Sequence, residues 1–123
     1  MKKLKFTIVG IMLLIASLAI AADQVNVIGY TPFAYGKITV LSTAAVGLNT
    51  TYAATAGAVF ITVETNNIRY KISGGLPTST DGHLVVTTAY QNIWLNDPAS
   101  IKKFKAIGIS GSATLHVTYY RRN

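Results

Sequence analysis

The strongest constraint on the fold is the alternation across residues 58–73. Ile61, Val63, Ile68, Tyr70 and Ile72 fall on one side of an extended chain, with Thr62, Glu64, Arg69 and Lys71 on the other. A two-residue repeat belongs to half-buried strands, and Asn66-Asn67 breaks this one into two. Asparagine tolerates the positive φ of a type I′ turn. The expected hairpin therefore pairs Thr65 with Ile68, Glu64 with Arg69, Val63 with Tyr70 and Ile61 with Ile72. A slip of one residue would expose every apolar side chain of the set, so the pattern argues for this register.

Similar runs recur at 25–28, 37–42, 84–88, 92–95, 103–109 and 113–120, rich in Val, Ile, Thr and Tyr and separated by Gly, Asn, Pro and Asp. Several short strands at this spacing predict an all-β fold, an antiparallel β-sandwich or small barrel of about seven to eight strands. Residues 44–57, full of Ala, Thr and Gly, read as loop with at most one irregular strand. A second hairpin turning at Ser110-Gly111 is expected to set Phe104 against Val117, Lys105 against His116 and Lys103 against Thr118. Ile107 and Ile109 then fall among polar positions, which calls for a bulge or a second covered face.

The first 22 residues are of another kind. Lys2, Lys3 and Lys5 precede an uncharged run over 6–22 that ends in small residues, the plan of a secretory signal peptide. The run is also at the lower limit for a membrane anchor helix, so residues 1–22 are a signal peptide or an anchor and residues 23–123 the β domain. The expected location is exported or anchored in the inner membrane. Three of the +7 formal charges go with this leader, leaving +4 on the rest.

Little in the remainder looks catalytic. With 4 Asp and Glu, 2 His and no Cys, thiol chemistry, a disulfide framework and a cysteine-built zinc site are excluded. Glu64 is expected opposite Arg69, while Asp81 and Asp97 sit in turn sequences and Asp23 lies at the leader junction. His83 follows a turn and His116 alternates with threonines on an outer face. The sequence Asn49-Thr50-Thr51 matches a glycosylation acceptor, a short and common pattern. No enzyme, cofactor or metal is expected.

Contact chemistry is easier to find. Lys102, Lys103, Lys105, Arg121 and Arg122 come close together if the last two strands pair, with Tyr120 the aromatic candidate beside them. These six residues form the candidate contact surface. It suits an acidic partner or a glycan, though lysine and arginine also serve to blunt a strand edge. Export argues against nucleic acid.

The order of 58–65, 68–71, 75–83, 104–107 and 113–120 resembles a group of small phage and prophage proteins regarded as virion-associated structural components, over about residues 37–121. The resemblance implies an all-β, non-enzymatic domain that decorates or joins parts of a particle through repeated copies. It supplies no catalytic residues, and it implies a recurring loop over 77–83 with turn geometry from Gly75 and Gly82. The leader departs from the group and suits a membrane-associated virion component or an envelope protein. The expected function is thus a virion structural or decoration protein acting by multivalent packing, as a homo-oligomer or with other virion or envelope proteins. The alternative is an exported glycan- or surface-binding module.

Overall fold

A computed structural model describes residues 29–123, so the expected leader helix and the strand at 25–28 lie outside the described residues. The elements are β1 (Tyr30–Val40), β2 (Val46–Gly47), α1 (Thr50–Thr55), β3 (Ala58–Glu64), β4 (Ile68–Lys71), β5 (His83–Val85), β6 (Asn92–Leu95), α2 (Pro98–Lys103), β7 (Lys105–Gly108) and β8 (Ala113–Arg122). A 3-10 turn spans Thr87–Ala89. The fold is all-β in character, with two four-stranded antiparallel sheets ordered β1-β8-β3-β6 and β2-β7-β4-β5.

One core joins the sheets. Val59, Ile61, Leu115, Val117 and Tyr119 enter it from the first sheet and Ile68, Val85 and Ala106 from the second, all buried. Alternation explains the choice: Ala113, Leu115, Val117 and Tyr119 point inward along β8, while the residues between them stay partly open. Burying a side chain the size of Ile or Leu contributes about 1.5–3 kcal/mol.

The expected hairpins do not form. β3 pairs with β8 and β6, and β4 with β7 and β5, so the chain changes sheet at Asn66-Asn67. Thr65 turns it there with φ 81°. The inward faces of residues 58–72 were read correctly and their pairing was not. Apolar faces meet as well across a core as side by side, and alternation alone does not distinguish the two. The second hairpin fails in the same way. β7 belongs to the second sheet and β8 to the first, with Ser110 turning at φ 64°. His116 therefore lies between Lys37 and Thr62, and Lys105 between Gly47 and Lys71. Every connection except β4 to β5 crosses between sheets.

Residues 44–57 hold a short strand and a helix where mainly loop was expected. A helix of 6 residues is too short to display a period, and it is set instead by its cap: Asn49 Oδ1 accepts from the Tyr52 amide at 3.1 Å. α2 starts with Pro98 in its first turn and Asp97 as cap, accepting from the Ser100 amide at 3.3 Å and hydroxyl at 2.9 Å. That helix takes in Lys102 and also Lys103, where the strand over 103–109 was expected to begin.

Antiparallel pairing gives the molecule two distinct ends. At the turn end, Leu41, Asn66-Asn67 and residues 109–112 meet. Gly108 N–H donates to Leu41 O at 2.9 Å, Ile109 N–H to Asn67 O at 2.9 Å, and Asn66 Nδ2 to Ser112 O at 2.8 Å. The helix end carries α1, α2, the start of β1 and the finish of β8.

Candidate functional site

The basic residues gather at the helix end for a reason other than the one sequence suggested. Lys102 and Lys103 close α2, Lys105 opens β7, and Arg121 and Arg122 finish β8. The last two strands do not pair, so the cluster is spread across both sheets and a helix instead of lying along one hairpin. Arg121 sits over the Phe33 ring, 4.7 Å from its centroid, an arrangement that favours a cation on an aromatic face. Lys102 and Lys105 border a cavity of about 250 Å³ floored by Leu48, Ala53 and Ile101. Among the described residues the ion pairs are Lys71 with Asp81 and His116 with Glu64, so none of the five candidate cations has a carboxylate within bridging distance.

Tyr120 is at the centre of something larger than expected. It lies on the outer face of the first sheet, half-buried, with its ring centroid 5.4 Å from that of Trp94. Tyr30 meets Trp94 edge to face at 5.7 Å, and Phe60 is the direct strand partner of Trp94. Trp94 is the most exposed of this group at 46%. These contacts hold the rings in place before anything binds, at about 0.5–1.5 kcal/mol per pair. In the sequence Trp94 is one of several aromatic residues that could form a stacking platform, with Tyr120 the preferred exposed candidate. The signal was there in Asn92–Leu95: burying Ile93 and Leu95 forces the residue between them outward.

Further along the same face Tyr35 hydroxyl bonds His116 Nδ1, and His116 Nε2 lies 2.9 Å from Glu64 Oε2. The second contact is a close approach without hydrogen-bond alignment, which leaves Nε2 without a bonded partner. Nε2 is buried and Nδ1 is taken by the Tyr35 hydroxyl. Glu64 consequently does not face Arg69. Arg69 instead ties down the 72–82 loop, with Nη1 donating to Gly82 O at 2.8 Å and Nε to Ser79 O at 3.1 Å. Lys71 bonds Asp81 beside it and holds that carboxyl below its usual range. The left-handed glycines of this loop are Gly74 at φ 99° and Gly82 at φ 126°; Gly75, named on resemblance, is not one of them.

The remaining candidates have structural roles. Asp97 is kept below the ordinary carboxylate range by the Ser100 hydroxyl and amide that it caps. Asn49 caps α1. His83 packs its ring 5.2 Å from Tyr70. Among the described residues no group of three or more His, Cys, Asp or Glu is placed to hold a metal, and no helix is long and apolar enough to cross a membrane.

A cleft at the turn end completes the surface. Thr62, Glu64, Thr65, Thr87, Gln91 and Asn92 line about 510 Å³, and Tyr90 stands at its side with 91% of its surface open. Tyr90 is held in this position by a left-handed backbone, φ 52° and ψ 38°. No family model, curated protein or solved structure matches the chain.

Proposed function

We propose that this protein is a non-enzymatic virion structural component of phage origin, a β-sandwich that works by packing against neighbouring copies or other particle or envelope proteins. The observation that carries the reading is the ordered aromatic group formed by Tyr30, Phe60, Trp94 and Tyr120 on an open sheet face. Large rings already fixed by their neighbours lose little freedom on contact, and such residues dominate the energetics of protein interfaces. The resemblance of residues 37–121 to virion-associated proteins supplies the setting.

The test is mass spectrometry of purified particles from an induced host, with wild type and Trp94→Ala compared. The protein is expected in the particles, and the variant is expected to be depleted at least about tenfold, the scale of a lost aromatic anchor. Particles without the wild-type protein would sink the reading.

The cleft beside Tyr90 favours a second reading, an exported glycan-binding module. An exposed ring with hydroxyl, amide and carboxylate groups around it suits the apolar face and hydroxyls of a sugar. Binding on a glycan array that disappears in Tyr90→Ala and survives in Trp94→Ala would select this reading over packing.

A further inference from the structure

We propose that the helix end is a membrane-facing surface that docks on a bilayer carrying anionic headgroups. The first argument is the distribution of charge. Lys71, Lys102, Lys103, Lys105, Arg121 and Arg122 all lie toward the helix end, as the strand directions require. Asp81 pairs with Lys71 and Asp97 caps α2, which still leaves cations in excess there, whereas the turn end has Glu64 and Arg69 within two residues of Asn66-Asn67 and no other charge from Leu41 and residues 109–112 to the Tyr90 cleft. Lys102, Lys103, Lys105, Arg121 and Arg122 have no bridging carboxylate among the described residues, and Asp97, whose carboxyl feels Lys103, offsets only part of their mutual repulsion. An anionic surface offsets it, each lysine or arginine near such a surface strengthening attachment by about fivefold.

The second argument is chain connectivity. Gly29, the first described residue, is at the helix end, where its carbonyl accepts from the Asn123 amide at 2.9 Å. The uncharged run over 6–22 stops 7 residues before Gly29. A fully extended segment of that length reaches only about 25 Å. With the run in a bilayer, the basic end is held beside the headgroups and the turn end faces away. Charge and tether therefore converge on the same end of the molecule, and this placement is independent of whether the protein enters a particle.

Trp94 is the only tryptophan and sits at this end, its ring 5.7 Å from that of Tyr30, which makes it the reporter. The full chain is reconstituted in vesicles of phosphatidylcholine alone or with phosphatidylglycerol added, and acrylamide quenching of Trp94 is measured. Full-length protein recovered with both kinds of vesicle is compared, so the difference between them reads the domain. Quenching is expected to fall at least about twofold when phosphatidylglycerol is present, and to recover near 1 M salt, where screening shortens to about 3 Å. The combined change Lys102→Glu, Lys103→Glu and Lys105→Glu is expected to abolish the effect, and Lys37→Glu, at mid-sheet, to preserve it. Melting curves check that each variant is folded, with Arg121→Glu as a second route if the triple change is not. Equal quenching in the two vesicles overturns the proposal. So does a phosphatidylglycerol effect that the charge reversal leaves intact. Loss of self-association in detergent without any lipid dependence also overturns it, and assigns the cations to a protein interface.

Discussion

The turn end and the helix end solve the same problem in opposite ways. Where strands cross between sheets at the turn end, polar groups are satisfied within the fold. Asn66 donates to Ser112 O at 2.8 Å, and Asn67 Oδ1 accepts from the Thr87 amide at 3.0 Å and hydroxyl at 3.2 Å. The helix end is closed by apolar Ala53 and Ile101 in two capped helices, and Lys102 and Lys103 at the end of α2 are exposed without an ion pair. The difference teaches where sequence is committed to architecture and where it is free for contact. Buried or half-buried polar groups must find partners, whereas a solvated ammonium need not.

The largest expected effect comes from the tightest approach at the turn end. A Cβ on Gly108 would stand 2.2 Å from Gly111 O and 3.3 Å from Val40 O, both backbone atoms that cannot rotate away. Gly108→Ala should therefore cost about 3 kcal/mol or more, the upper range for overpacking, or prevent folding. Gly36→Ala is the comparison, since a Cβ there meets nothing within 4 Å. It should change stability by no more than about 0.5 kcal/mol in urea denaturation. Equal losses at the two positions would break the contrast between a crowded end and an open strand.

A smaller effect separates the two ends directly. Asn67→Ala removes the acceptor of both Thr87 groups and leaves a part-buried amide without a partner, which should cost about 1–2 kcal/mol. Lys103→Ala at the helix end, exposed and without an ion pair, should stay within about 0.5 kcal/mol. Chemical denaturation of the two variants under one buffer gives the comparison. A loss at Lys103 matching that at Asn67 would show that the helix-end cations hold the fold together after all.

The sequence was legible in this molecule one face at a time. Ile61 and Ile68 are fully buried as the alternation required, and the same rule put Thr62 and Arg69 outside the core. It did not reveal neighbours, because hairpin and crossing strands bury the same side chains. The residue that decides between them is Thr65, which adopts φ 81° although threonine is a poor candidate for that region. The residues that follow it, Asn66 and Asn67, bond Ser112 and Ile109 more than forty positions away, and nothing local records those contacts. For the contact surface, the lysines and arginines were visible as composition, while their arrangement depended on a pairing that does not exist. Trp94 was the reverse case: its neighbours Ile93 and Leu95 carried the information, and its exposed ring follows from their burial.

The smallest effect links the core to the helix end and should be absent from the turn end. Tyr119 is fully buried, and its hydroxyl accepts from the Asn49 amide at 3.2 Å, joining β8 to the cap of α1. Burial pushes its phenol above the ordinary value of 10.0, and Tyr70 is shifted the same way by burial. Both groups are neutral in the fold at a pH where the unfolded chain has begun to ionise. Their contribution is complete below about pH 10 and is lost as pH rises toward the folded values. Tyr119→Phe should cost about 1 kcal/mol at neutral pH through the lost acceptor. It should also make the alkaline decline shallower, with Tyr70 retaining part of it. Asn67→Ala should lower the whole curve and leave its alkaline slope unchanged, because no titrating group lies in that hydrogen-bond set. Melting temperatures of the three proteins between neutrality and the alkaline limit supply the measurement. An unchanged slope in Tyr119→Phe would mean that the hydroxyl meets water, and that the helix end is more open than its apolar closure implies.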